Sequence, residues 1–418
     1  MYSLFHEMNK YRLGRNFLFA GCFLLPTSGY IGPFLILLAC VCGSSIQGFK
    51  ALLAKKMYPI YLIAVLMLIS ALTSPFGLES CSGIFNWLPF FWLFWSLSVY
   101  FEDKSAIKRV ALNLVYGTIP VLIIGFSQLI FGFNGSPRLF GSFIVWHVLD
   151  RGEFTGIFYN RNICAAWLAA SFPFFVAAMH SQVTSRENFS KKIVALIALF
   201  SVSLAMVMSN SRNAIGSLFF GSISMIVDFF AAKQAIAKFN FSRFAFIALA
   251  AAIILFAVPY FGLAQASLNT LREFISDVNR LEIWKFGIDI ASDNIFTGLG
   301  SGGFSSYVSL LSPFDKPYYH VHSLPLDLWI SYGFLASITF VVYVFGWLFV
   351  AVRSGVLQDC IFSKAWAISF VLLIIVHFTD LPYLDARTNL VGWILFAGIV
   401  SYAESSALTS ARPSKTAF

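Results

Sequence analysis

Four short polar segments in this 418-residue chain carry side chains capable of chemistry, each at the edge of an apolar run. His320-Val321-His322-Ser323 places two imidazoles at i and i+2, immediately before an apolar run that opens at Leu324. Near arginines, a histidine is suited to proton abstraction, because neighbouring cations favour its neutral, proton-accepting form. The pair also suggests a metal. No His-x3-His or His-Glu-x-x-His pattern accompanies it, however, and no third ligand lies nearby, so no metal site is expected. A plain capping histidine is the unspecialised alternative.

The second segment is Asn279-Arg280-Leu281-Glu282-Ile283-Trp284, followed by Gly298-Leu299-Gly300-Ser301-Gly302-Gly303-Phe304. Arg280 offers a planar fork for an oxyanion, with local pairing to Asp277 or Glu282 as the alternative. The glycine run could present backbone N–H groups to an anion, but it lacks the Lys-Ser/Thr of a P-loop and reads more simply as a flexible connector. Third, Ser209-Asn210-Ser211-Arg212-Asn213 squeezes an arginine between two apolar runs with almost no loop. A charge placed there is costly unless it has an anionic partner or can snorkel to the surface. Fourth, Gly156-Ile157-Phe158-Tyr159-Asn160-Arg161-Asn162 opens an apolar run with donors where a helix dipole favours anions, although capping by Asn160 explains part of this pattern.

The elements that must position these segments are membrane helices. Hydrophobic residues make up 59% of the chain and charged residues only 11%, against about 25% charged in a soluble domain. Apolar runs fall near residues 16–28, 30–47, 57–74, 84–101, 110–132, 161–179, 192–209, 213–230, 243–262, 324–351, 362–379 and 386–403. At roughly 20 residues per span, this predicts an all-α polytopic membrane protein of about twelve helices. It is read as a single membrane domain over residues 1–418, with no cleavable leader expected at the N-terminus. Pro26, Gly29 and Pro33 interrupt the first two runs, which could be one broken helix. The six cysteines mostly sit in or beside apolar runs and read as buried thiols.

With the N-terminus placed in the cytoplasm, alternating spans put 19 of the 28 basic residues on the inner side, including every cytoplasmic loop, as the positive-inside rule requires. Merging the first two runs would export Lys10, Arg12 and Arg15, so twelve spans are preferred. Both termini are then cytoplasmic. Two long segments, 133–160 and 263–323, are external, and Thr270–Ala291 in the second reads as an amphipathic helix. Inner basic residues are 12 Lys and 7 Arg, whereas outer ones are 2 Lys and 7 Arg. The bias towards arginine outside points to an external oxyanion site. Basic residues scattered between spans argue against nucleic-acid binding despite the net charge of +9.

In order and placement, the four segments resemble the O-antigen ligase and O-antigen polymerase family of bacterial membrane glycosyltransferases. The matching features are Gly156 to Asn162, Ser211-Arg212, Arg280-x3-Trp284, Gly298 to Gly302, and His322-Ser323 with Gly333 ten residues after the serine. Ser323, Ser331 and Ala336 depart from the asparagine, acidic residue and glycine common in relatives. The resemblance implies a C-type glycosyltransferase (GT-C-like) fold in the bacterial inner membrane, with a periplasmic active site. The donor would be an undecaprenyl-diphosphate-linked glycan, and the acceptor either lipid A–core or a second lipid-linked glycan. His322 would be the catalytic base, and Arg212 and Arg280 would bind the diphosphate. Asn160, Arg161, Asn162 and His320 are candidate substrate-binding residues. No metal and no cofactor are expected. A secondary transporter or lipid-linked oligosaccharide flippase is the alternative; against it stand the lack of an internal repeat and the single large external loop.

Overall fold

The computed structural model describes residues 2–77, 79–132, 138–139, 144–145, 153–184, 189–231, 278–311 and 318–410. Helices α1 (Tyr2–Leu24) and α2 (Ile31–Gln47) form separate, antiparallel elements rather than one broken helix. The buried Ser28 closes the turn between them, its Oγ accepting from the Ile31 N–H at 2.9 Å. Gly21 faces Ile36 and Gly32 faces Leu25 so closely that an added Cβ would fall 2.7 Å and 2.6 Å from them, which lets the two backbones touch.

There follow α3 (Tyr58–Thr73), the short α4 (Glu79–Ser82), α5 (Leu88–Leu97) and α6 (Lys104–Phe131). Asp103 caps α6, accepting from the Ser105 N–H at 2.8 Å. Next come α7 (Arg161–Thr184), α8 (Phe189–Met208), α9 (Arg212–Ala231), α10 (Val278–Asp293) and α11 (Gly303–Leu311). The chain ends with α12 (Leu324–Tyr332), α13 (Phe334–Arg353), α14 (Ile361–Thr379) and α15 (Ala386–Ser410). A two-residue antiparallel pairing joins Arg138–Leu139 to Ile144–Val145. The architecture is that of a polytopic all-α membrane protein.

Among the described residues, eight helices are long and apolar enough to cross a membrane. Helices α1, α2 and α9 cover three further apolar runs. The run at 243–262 lies outside the described residues, as does the part of the expected amphipathic helix before Val278. The run expected as one span over 324–351 is instead two helices, α12 and α13, broken at Gly333. Gly333 takes φ 87° and packs against the Phe296 carbonyl, where a Cβ would clash, while the Phe334 N–H donates to the Ile295 carbonyl at 2.8 Å. Hydropathy alone is blind to this break, because both halves are apolar.

Helix α7 is the centre of the bundle, buried continuously from Ile163 to Ala177. Its alanines admit close neighbours, and the Trp167 indole donates to Thr118 Oγ1 on α6 at 3.0 Å. Ion pairs and cation–ring contacts mark one end of the bundle: Lys104 with Asp359, Lys56 with Glu404, Arg15 with Asp103, and Lys108 over the Phe362 ring. Asp359 precedes the 19-residue α14 and Asp380 follows it, so the two acids are separated by roughly 28 Å at 1.5 Å per residue. The four chemically capable segments all meet at the Asp380 end.

A second, smaller core lies outside the main bundle. It joins Ile283, Ile290 and Ala291 of α10 with Phe304 and Val308 of α11, Val321, and Ile330 of α12. This satellite core fixes the described part of the 263–323 segment against α12.

Candidate active site

The site is built around His322, which sits in the loop ahead of α12 with φ 53°, a left-handed conformation costly for a residue with a Cβ. Helix α10 holds it there. Arg280, Trp284 and Gly287 follow at i, i+4 and i+7, so they share a helix face. The Trp284 indole donates to the Val321 carbonyl at 3.0 Å, between the two histidines. A Cβ on Gly287 would lie 2.8 Å from the Val321 side chain, so only glycine lets the loop come this close. Arg280, one turn before Trp284, lies near enough to act electrostatically on both His320 and Asp380.

Asp380, at the C-terminal end of α14, accepts from His322 Nδ1 at 3.1 Å and from the Leu381 N–H at 2.9 Å through the same Oδ1. Burial works to raise the Asp380 carboxyl, but the hydrogen bond and charge of His322, the Leu381 N–H and Arg280 outweigh it and hold the carboxyl below the usual carboxylate range. An ionised Asp380 can only accept, so His322 carries a proton on Nδ1, and the lone pair of its neutral ring falls at Nε2. The His320 and His322 rings meet edge to face, their centroids 4.1 Å apart. Burial pushes His320 down to about 4; His322 and Arg280 act in the same direction and Asp380 opposes them. His320 is therefore neutral near pH 7.

Helix α9 enters from the other side. Asn210 takes φ 52° at the tight turn after α8, which allows Arg212 to begin α9 almost without a loop. Asn213 accepts from Thr379 Oγ1 at 2.8 Å, and Thr379 is the residue before Asp380. This brings the exposed Arg212 to the same end of the bundle as the His322–Asp380 pair. The start of α7 is tied to the same turn by Ser211, whose hydroxyl donates to Asn162 Oδ1 at 3.2 Å. Asn160 caps α7, accepting from the Asn162 N–H at 2.7 Å, and Arg161 is ion-paired with Glu153.

The structure thus groups His320, His322 and Arg280, and places Arg212 at the same end of the bundle through Asn213 and Thr379, with Asn162 held to the adjacent Ser211. Asn160 and Arg161 are engaged locally, one in capping and one in an ion pair. The glycine run does not behave as a flexible connector. The Leu299 and Gly300 N–H groups donate to the Ile330 and Ser331 carbonyls at 2.7 Å and 2.8 Å, satisfying the C-terminal end of α12. A Cβ on Gly298 would meet the Ser331 backbone at 2.6 Å. These amides are consumed by α12 and are not free for an oxyanion.

Two features at this end of the bundle have no counterpart in the sequence. Asp380 lies 58 residues from the histidine it orients, and its one signal is an acid at the external end of a predicted span. The second is an apolar groove of about 90 Å³ between α13, α14 and α15, bounded in part by Leu324, Phe340, Phe370, Tyr383 and Trp393. Leu324 and Tyr383 stand two and three residues from His322 and Asp380, so the groove adjoins the site. Arg387, counted among the outer arginines, is committed internally. It pairs with Asp385 at 2.8 Å and stacks over Phe158 with its guanidinium carbon 4.0 Å from the ring centroid.

Fold and site together define a polytopic membrane protein with a histidine–carboxylate pair and arginines at one end of its helical bundle. A family model described as O-antigen ligase matches residues 195–341, the stretch that carries Arg212, Arg280, His320 and His322. The family that the sequence resembles is thus the one whose model matches, and the match supports an O-antigen ligase-like glycosyltransferase function in general terms. No curated protein matches the chain.

Proposed function

We propose that the protein transfers a glycan from undecaprenyl diphosphate to a sugar hydroxyl on the periplasmic face of the inner membrane. The acceptor is lipid A–core if the protein is a ligase, and a second lipid-linked glycan if it is a polymerase. The observation that carries this reading is the His322–Asp380 hydrogen bond beside Arg280, at the end of the bundle where Arg212 begins α9.

In the reaction, the acceptor oxygen forms a bond to the anomeric carbon as the bond from that carbon to the diphosphate oxygen breaks. The electron pair leaves with the diphosphate, and the acceptor proton passes to His322 Nε2. A single displacement of this kind inverts the anomeric centre. Arg212 and Arg280 stabilise the charge that gathers on the diphosphate, a form of stabilisation that is often the largest single contribution to catalysis. Because the leaving group departs as an anion, no general acid is required, and neither is a metal. Asp380 keeps the Nε2 lone pair of His322 available and offsets the imidazolium that forms. The apolar groove beside Leu324 and Tyr383 offers the prenyl chain of such a donor an apolar surface close to its diphosphate. Residues 1–418 act as one membrane domain, with the 263–323 segment supplying Arg280 and His322.

The test is transfer by the purified chain in proteoliposomes supplied with lipid-linked glycan and acceptor. Arg280→Ala and His322→Ala should each lower the rate by about 10²–10⁴-fold, the range for loss of a positioned proton acceptor or a charge-stabilising donor. Retained activity in either variant contradicts the mechanism.

A further inference from the structure

The proton-accepting pair uses one oxygen of Asp380 and leaves two buried atoms beside it unexplained. His320 Nδ1 and Asp380 Oδ2 are both buried without a hydrogen-bond partner among the described residues. Buried polar atoms are rarely left so unless water, an ion or a ligand completes them. Asp380 itself is only 8% exposed. One ligand-capable atom from each of His320, His322 and Asp380 lies within 4.8 Å of the others.

We propose that His320, His322 and Asp380 form a binding site for a divalent transition metal of Zn²⁺ type, and that metal bound there blocks the active site rather than serving it. Two imidazoles and one carboxylate suit zinc, copper or nickel, whereas Mg²⁺ and Ca²⁺ prefer all-oxygen shells. A tetrahedral ion with ligands at about 2.0–2.2 Å needs its donor atoms roughly 3.4 Å apart. His322 Nδ1 and Asp380 Oδ1 are already 3.1 Å apart, so a small swing of the His320 ring completes three ligands and leaves a fourth position open.

Metal binding and proton abstraction exclude each other. If the ion takes Nδ1 of His322, the proton there shifts to Nε2 and the accepting lone pair is lost. If it takes Nε2, that lone pair is occupied directly. Arg280, which acts on both His320 and Asp380, repels a dication, so the ion competes with the guanidinium for this corner of the site. The inference stands apart from the identity of the donor, because metal binding is measured with no glycan present.

The test uses the full chain, purified in detergent without an oligohistidine tag and titrated with Co²⁺. The expected result is a set of ligand-field absorption bands of a four-coordinate nitrogen/oxygen site, saturating at one equivalent. Zn²⁺ should displace the Co²⁺, and Mg²⁺ should not. His320→Ala and Asp380→Ala should each weaken binding at least tenfold. Arg280→Gln, which removes the opposing charge, should tighten it several-fold, a gain that misfolding cannot imitate. Zn²⁺ should also inhibit glycan transfer reversibly, with activity restored by a chelator. Absence of the bands at millimolar Co²⁺, or bands unchanged by His320→Ala, overturns the site. So does a dominant thiolate charge-transfer band, the mark of binding at the exposed Cys360. Saturated binding with undiminished transfer overturns the inhibitory role.

Discussion

His322 can accept a proton at Nε2 only while something keeps Nδ1 in its N–H form, and Asp380 imposes that constraint at 3.1 Å. Asp380→Asn retains the shape but offers an amide that can also donate, so both tautomers of His322 become populated. The expected outcome is a fall in kcat of about tenfold or more with KM nearly unchanged, and a smaller loss for Asp380→Glu, both read from steady-state transfer. The imidazole pair and the two arginines were legible in the sequence because they stand beside apolar runs, where a polar side chain needs a reason. Asp380 was not legible, because no local spacing connects it to His322; the two meet only when the end of α14 packs beside the loop before α12. A third ligand-capable side chain beside the two histidines was hidden for the same reason, since Asp380 arrives from a distant helix.

At the scale of elements, α10 and the Gly298–Gly302 run act as a clamp on the His320–Ser323 loop and the end of α12. Trp284→Phe keeps the ring and loses the hydrogen bond to Val321, which removes about 1 kcal/mol. A modest fall in thermal midpoint is expected, together with a larger fall in kcat, because the strained His322 backbone is no longer held. Gly333→Ala places a Cβ at φ 87° against the Phe296 carbonyl. It should destabilise the chain by at least about 1–2 kcal/mol from the backbone alone, visible as reduced yield and earlier thermal unfolding in detergent. Asn210→Gly, by contrast, should be tolerated, and Asn210→Val should cost about 1–2 kcal/mol, since the turn before α9 requires φ 52°. The glycines were visible in the sequence, but their use was not. Close approach between backbones leaves the same residue signature as a mobile connector.

At the scale of the molecule, hydropathy set out most of the described fold: among the described residues the apolar runs became helices, because a bilayer tolerates no unpaired backbone. The exceptions are the break at Gly333 and the apolar groove, both products of packing between helices rather than of any one segment. Lysines and arginines near Asp103, Asp359 and Glu404 mark the end of the bundle opposite the site, as a cytoplasmic face rich in basic residues would. If transfer needs no metal, treatment with a chelator should leave the rate of the reconstituted protein unchanged or, where zinc was bound, raise it. Division of labour between the guanidiniums and the imidazole is the central claim, and paired donor-binding and turnover measurements on Arg280→Ala and His322→Ala test it most directly. Equilibrium binding of undecaprenyl-diphosphate-linked glycan should weaken at least tenfold in Arg280→Ala and stay near wild type in His322→Ala, while turnover collapses in both. Normal donor binding in Arg280→Ala, or normal turnover in His322→Ala, contradicts it.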